Sequence, residues 1–167
     1  MHYTIDWRRL RDAGWWHWVV TLPLLAAHVA LGPKESHRAF EAAAALCAAM
    51  AAVAWWRTGD PLATAVQVRL GYLALLVLGL APAAQWFHWV QLAGTSAMVA
   101  VGYCPLARML SLAAWNRDEP LTADLFRKTF LTRAPAGGIL RPVVAPGAGP
   151  ADAGLPCADA CPCGITV

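Results

Sequence analysis

Between Ala83 and Ala107 the chain carries no formally charged residue. This run, with WFHWVQLAGTSAMVAVGYCPLA at its heart, exceeds the ~20 residues a helix needs to cross a bilayer. It reads as a membrane span. The composition agrees: 59% of the 167 residues are hydrophobic and 14% charged, against roughly 45–50% and 25% in soluble domains. The nine Trp all precede residue 116, and many sit at the ends of apolar runs: Trp15, Trp16 and Trp18, Trp55 and Trp56, Trp86 and Trp89, and Trp115. An amphipathic ring favours the headgroup level, so these clusters read as interface belts.

Taken in order, the pattern predicts an all-α polytopic membrane protein with four transmembrane helices, a short amphipathic helix and an irregular C-terminal tail. Residues 1–13 form a polar segment with Arg8, Arg9 and Arg11. Residues 14–115 form the transmembrane domain, with spans at about 14–32, 39–56, 63–81 and 88–110. A basic start followed by an apolar run also describes a signal peptide, but three further apolar runs follow. Pro23 falls inside the first span, where it removes one backbone hydrogen bond. Ser36 is placed to cap the second span. Arg57-Thr58-Gly59-Asp60-Pro61 stops that helix, and Pro82 stops the third. Arg69, near the start of the third span, is expected to snorkel to the interface. Pro82–His88 is a short uncharged connection, so the third and fourth spans form an antiparallel hairpin.

Two small-residue stripes recur at intervals of four. Ala44, Ala48 and Ala52 lie on the second span; Ser96, Ala100 and Cys104 lie on the fourth. Such stripes let helix backbones approach closely, and the two are predicted to pack on each other. Orientation follows from short-loop charges. Arg8, Arg9, Arg11, Arg57, Arg69, Arg108 and Arg117 collect on one side, and only Lys34 and Arg38 on the other. Both termini are therefore expected in the cytoplasm of a bacterial inner-membrane, multi-pass protein.

Beyond Trp115 the character changes. Residues 116–134 begin with a helix-start pattern, Asp118-Glu119-Pro120. Leu121, Leu125, Phe126 and Phe130 fall broadly on one side, with Arg127, Lys128 and Arg133 available to lipid headgroups. The segment reads as an amphipathic helix on a membrane surface or docked on a partner protein. Residues 135–167 are rich in Pro, Gly and Ala and lack periodicity, which predicts a flexible or extended tail. That tail ends in a cysteine cluster, Cys157, Cys161 and Cys163.

The stretch 68–112 carries Arg69, Gly71, Gly79 and the motif Gly102-Tyr103-Cys104-Pro105-Leu106. In that layout it resembles the small two-helix inner-membrane domain that accompanies membrane-anchored rhodaneses and also occurs in small bacterial membrane proteins. The resemblance implies a helical hairpin. It implies no sulfurtransferase activity, because the chain has no rhodanese domain.

Three constellations bear on chemistry. Cys104, beside Pro105 and one turn before Arg108, is either a small packing residue or a thiol activated by a nearby cation. Cys157, Cys161 and Cys163 are three thiols in seven residues, of a kind that suits soft metals. Together with Cys104 they are the candidate site for a thiophilic metal ion. The spacing matches no standard zinc signature, and a closed zinc site takes four ligands. His17 and His28, eleven residues apart, share a helix face. His28, His37 and His88 fall at one outer level, so His28 and His88 are candidate ligands of a metal, a haem or a pigment.

No acid lies deep in a span, which disfavours a proton or cation pump. The net charge of +3 forms no basic stripe interleaved with aromatics, so nucleic acid is not expected as a partner. The expected partners are the lipid bilayer and other membrane-protein subunits. The expected role is non-enzymatic, as an accessory, scaffold or assembly subunit of a larger membrane complex. The alternatives are soft-metal or reactive-sulfur binding or transport through the cysteines, and a haem- or pigment-binding redox subunit using His28 and His88.

Overall fold

The computed structural model describes residues 3–32, 35–117, 119–131 and 139–142. Within them six α-helices follow one another: α1 Ala13–Leu31, α2 His37–Thr58, α3 Thr64–Leu78, α4 Trp86–Val101, α5 Pro105–Ser111 and α6 Ala123–Leu131. Two three-residue strands, β1 Tyr3–Ile5 and β2 Leu140–Pro142, pair antiparallel, with Thr4 opposite Arg141.

Several helix boundaries have a local cause. Asp12 accepts the Gly14 N–H at 2.8 Å and so caps α1; a carboxylate here also suits the positive end of the helix dipole. Pro23 sits inside α1 without ending it. Gly59 ends α2 at a φ of 66°, a conformation that a Cβ disfavours. Pro82 opens a short 3₁₀ turn, Pro82–Ala84, between α3 and α4. Ser36 precedes α2, but its hydroxyl does not cap that helix. It turns back to donate to the Gly32 carbonyl at 2.6 Å.

The predicted fourth span, residues 88–110, is two helices rather than one. The axes of α4 and α5 differ by 97°. Gly102 takes a left-handed φ of 73°, and Pro105, at the first position of α5, has no N–H to continue the ladder of α4. Three residues therefore turn the chain. The Val99 carbonyl, in the last turn of α4, accepts the indole N–H of Trp15 at 3.2 Å and the backbone N–H of Ile139 at 3.1 Å. Orphan carbonyls at a helix end need such outside donors. After the turn α5 folds back on α3. Gly71 faces the side chains of Leu106 and Leu110, and Gly94 faces Pro105.

The core gathers Trp18 and Leu25 of α1, Cys47 of α2, Val68, Tyr72 and Leu76 of α3, and Met98 of α4. α2 packs on α1 and α3, and α4 packs on α1 and α3. The predicted meeting of the two small-residue stripes does not occur. α2 turns Ala43, Cys47, Ala51 and Ala54 inward, one position around from the predicted row. Ala48 and Ala52 are exposed and Ala44 half-buried; Ser96 is exposed and Ala100 half-buried.

Among the described residues one helix, α2, is long and apolar enough to cross a membrane, with 22 residues and a mean hydropathy of 1.5. The α4–α5 pair passes the same test only if its bend belongs to one broken span. Part of the segment predicted as an irregular tail is ordered against the N-terminus, since β2 pairs with β1. α6 is attached through α5 and its lead-in: the Tyr103 hydroxyl donates to the Phe130 carbonyl at 3.1 Å, and the Arg108 guanidinium donates to the Thr129 carbonyl. A cation at these last carbonyls also suits the negative end of the dipole of α6.

Candidate functional site

The interior of the bundle is unusually polar for helices so apolar outside. His17, Thr21 and His28 of α1, Gln67 and Arg69 of α3, and His88, Gln91 and Thr95 of α4 are all buried. Several of these side chains are satisfied within their own helix. Thr21 donates to the His17 carbonyl at 2.8 Å, Thr95 to the Gln91 carbonyl at 2.7 Å and Arg69 to the Ala65 carbonyl at 2.6 Å. Others tie helices together. Gln91 donates to the Tyr72 carbonyl at 2.9 Å. The Tyr72 and Thr95 hydroxyls lie 2.9 Å apart; Thr95 gives its proton to Gln91, so Tyr72 is the donor.

At the end where α1 and α3 finish and α4 begins, two of the predicted histidines meet. The rings of His28 and His88 are edge to face with centroids 4.7 Å apart, and Phe40 of α2 flanks both. His88 Nε2 lies 3.1 Å from the Leu76 carbonyl. A carbonyl only accepts, so Nε2 carries the proton and Nδ1 the lone pair. His28 Nδ1 lies 2.9 Å from the Ser36 hydroxyl oxygen. That hydroxyl has one proton and gives it to Gly32, so His28 donates from Nδ1 and keeps its lone pair on Nε2.

Gly79 makes room for this pair. A Cβ built there would overlap the His88 ring, reaching Cδ2 at 2.6 Å and Cε1 at 2.9 Å. Beside the rings opens a cleft of about 70 Å³, lined by His28, Val29, Gly32, Gln85, His88 and Trp89. This is far below the roughly 300 Å³ at which cofactor pockets begin. The ring spacing also excludes an axial haem pair. With metal–nitrogen bonds of about 2.0–2.1 Å, ligands on opposite faces of one iron would separate the ring centres by about 6.4 Å. The spacing is therefore not that of two axial ligands on one haem iron.

The other predicted residues are scattered. His37 is exposed and does not join the pair. His17 lies toward the other end of α1, 4% exposed, with neither ring nitrogen hydrogen-bonded. Arg69 does not snorkel; it is 4% exposed within the bundle. Cys47 is buried, its thiol donating to the Arg69 carbonyl at 3.2 Å. Cys104 is half-buried and its sulfur accepts the Ala107 N–H at 3.4 Å, capping α5. Arg108, the expected activator of that thiol, is turned onto the Tyr103 ring at 4.5 Å and toward α6. Cys157, Cys161 and Cys163 lie outside the described residues. Among the described residues no three His, Cys, Asp or Glu side chains come together.

Ser36, the Leu76 carbonyl and Gly79 support the histidine pair, and the sequence did not mark them for that role. Ser36 was legible as a cap, and nothing local pointed to it as a partner of His28. No protein-family model matches this chain, and no curated protein or solved structure matches it either.

Proposed function

We propose that this chain is a small multi-pass protein of a bacterial inner membrane that acts as a non-enzymatic accessory, scaffold or assembly subunit of a larger membrane complex. The observation that carries this reading is the distribution of polarity. Polar side chains share the inside with the apolar core, while the outside shows Trp56, Trp89, Trp86, Leu70, Val77 and Val90, each between 49% and 86% exposed. In water, apolar surface on that scale would be a liability. In lipid it is the ordinary exterior, and the bonds to carbonyls within one helix are how a polar side chain is satisfied there. In this reading α1, α2, α3 and the bent α4–α5 pair are the four membrane segments, and both termini are cytoplasmic.

The accessory role is supported by the outer face of α2. Only 22% of its most apolar window is buried, and Ala45, Ala48, Ala49 and Ala52 point outward. A wide face of small residues lets the backbone of a neighbouring helix approach closely. The resemblance of residues 68–112 to the rhodanese-associated hairpin belongs to the same proposal. What supports it is that α3 and the Gly102–Leu106 turn pack on each other through Gly71 and Leu106.

The soft-metal or reactive-sulfur alternative draws no support from Cys104, whose sulfur is engaged as a helix cap. Two measurements test the main reading. Alkaline carbonate should leave the protein in the membrane pellet; release into the supernatant would remove the multi-pass reading. Purification from native membranes in mild detergent should then bring larger subunits in fixed stoichiometry. A lone chain would remove the accessory reading.

A further inference from the structure

The interior histidine pair has no part in the packing role just proposed, and a role for it stands independently of that one. We propose that His28 Nε2 and His88 Nδ1 bind one divalent transition-metal ion in adjacent coordination positions, at the end of the bundle where α1 meets α4. Four observations carry this.

First, each ring is held as metal-binding imidazoles are held. A ligating histidine nearly always donates its other N–H to a carbonyl, carboxylate or water, which sets the tautomer and aims the lone pair. His88 does so to the Leu76 carbonyl at 3.1 Å and His28 to the Ser36 hydroxyl at 2.9 Å. Second, among the described residues no hydrogen bond occupies His28 Nε2 or His88 Nδ1, although the two residues are only 3% and 4% exposed. Third, the spacing allows adjacent ligands: with both nitrogens on one ion at bonds of about 2.0–2.1 Å, centroids 4.7 Å apart would correspond to an angle of about 95° at the ion. This fits neighbouring positions of a tetragonal or tetrahedral ion and not a linear one. Fourth, the adjoining cleft of about 70 Å³ has room for an ion with water, and Gln85 lines it.

Imidazole nitrogen suits copper, zinc and nickel, with Cu²⁺ bound most tightly among divalent first-row ions. Two neutral ligands leave the charge of the ion uncompensated and its other positions open. The site therefore takes water or an anionic outside ligand in those positions, and the ion exchanges readily. Ser36 and Gly79 are positioning residues, acting through the two rings.

The test uses the full chain in detergent micelles with Cys157, Cys161 and Cys163 changed to Ser, so that tail thiols do not compete. One equivalent of Cu²⁺ is added, the protein is desalted, copper is quantified, and pulsed EPR counts the coupled imidazole nitrogens. The expected result is one copper per chain with two imidazoles. His28→Gln and His88→Gln should each weaken retention about 100-fold, and His37→Gln should leave it unchanged. Ser36→Ala should weaken it by about 10-fold, as loss of an outer-shell partner does. A spectrum with fewer than two imidazoles, or sulfur-bound copper, overturns the proposal. So does retention that survives the double His28→Gln/His88→Gln change. Should that double variant fail to fold, the imidazole count on the unaltered histidines decides alone.

Discussion

Gly79→Ala separates two opposite expectations about one methyl group. Gly79 has φ −67° and ψ −9°, ordinary right-handed geometry that alanine adopts without strain. Judged from the backbone alone, the change should stabilise the fold by about 0.4–1 kcal/mol, by restricting the unfolded chain. The packing implies the reverse, because the new Cβ would lie on the His88 ring, 2.6 Å from Cδ2 and 2.9 Å from Cε1. Forcing extra volume into a packed site costs about 1–3 kcal/mol. Moving the ring also breaks its bond to the Leu76 carbonyl, leaving buried groups unpaired for about 1–3 kcal/mol more. Allowing for the backbone gain, the net expectation is a loss of about 1–5 kcal/mol. Unfolding in detergent micelles, followed by tryptophan fluorescence, reads this directly. The control is a double-mutant cycle: once His88→Ala has removed the ring, Gly79→Ala should be neutral or stabilising, giving a coupling of at least about 2 kcal/mol. A stabilised Gly79→Ala single variant, or no coupling to His88, would refute the placement of that ring.

Other perturbations probe separate parts of the fold. Gly102→Ala should destabilise by about 1–2 kcal/mol, the cost of left-handed backbone for an L-residue, because φ there is 73°; equal stability by the same unfolding assay would contradict the bend. Asn116→Ala should cost about 2–3 kcal/mol, at about 1 kcal/mol for each net hydrogen bond. It removes two bonds from its amide, to Gln67 at 2.7 Å and the Leu110 carbonyl at 2.8 Å, and one accepted from Gln67 at 3.1 Å. Tyr72→Phe should cost about 1 kcal/mol through the lost bond to Thr95, with no change in helix content by circular dichroism. Ala48→Leu and Ala52→Leu should leave the unfolding midpoint of the isolated chain unchanged, because both positions are exposed. They should reduce recovery of partner subunits from native membranes, and undiminished recovery would remove α2 as the contact face.

Parts of this architecture were legible because they are local. Gly59 stops α2 through its own backbone chemistry; α3 stops at Leu78, ahead of Pro82, which instead opens the 3₁₀ turn Pro82–Ala84. Gly102 and Pro105 were equally visible, and the expectation of one span across 88–110 gave them too little weight. A left-handed glycine three residues before a proline turns the chain by 97°. The amphipathic pattern around Phe126 and Phe130 was also local, and α6 forms over Ala123–Leu131 with those rings 4.6 Å apart. The grouping of His28 with His88 was foreseen only as a shared level. His37, at the same level, faces outward.

The sequence by itself determined that the chain is mostly helical and that its composition, 59% hydrophobic and 14% charged, is more apolar than that of an average soluble domain. Only the tertiary structure decided which side of each helix faces inward. A helix that is apolar nearly all round carries no strong periodicity to mark its inner face. A row such as Ala44, Ala48 and Ala52 therefore looks as fit for the core as Ala43, Cys47, Ala51 and Ala54, which occupy it. The pairing of β1 with β2, the closure of Asn116 on Gln67 and the edge-to-face contact of His28 with His88 arise for the same reason. Each joins residues far apart in the chain, and their meeting follows from how the helices stack rather than from any spacing along them.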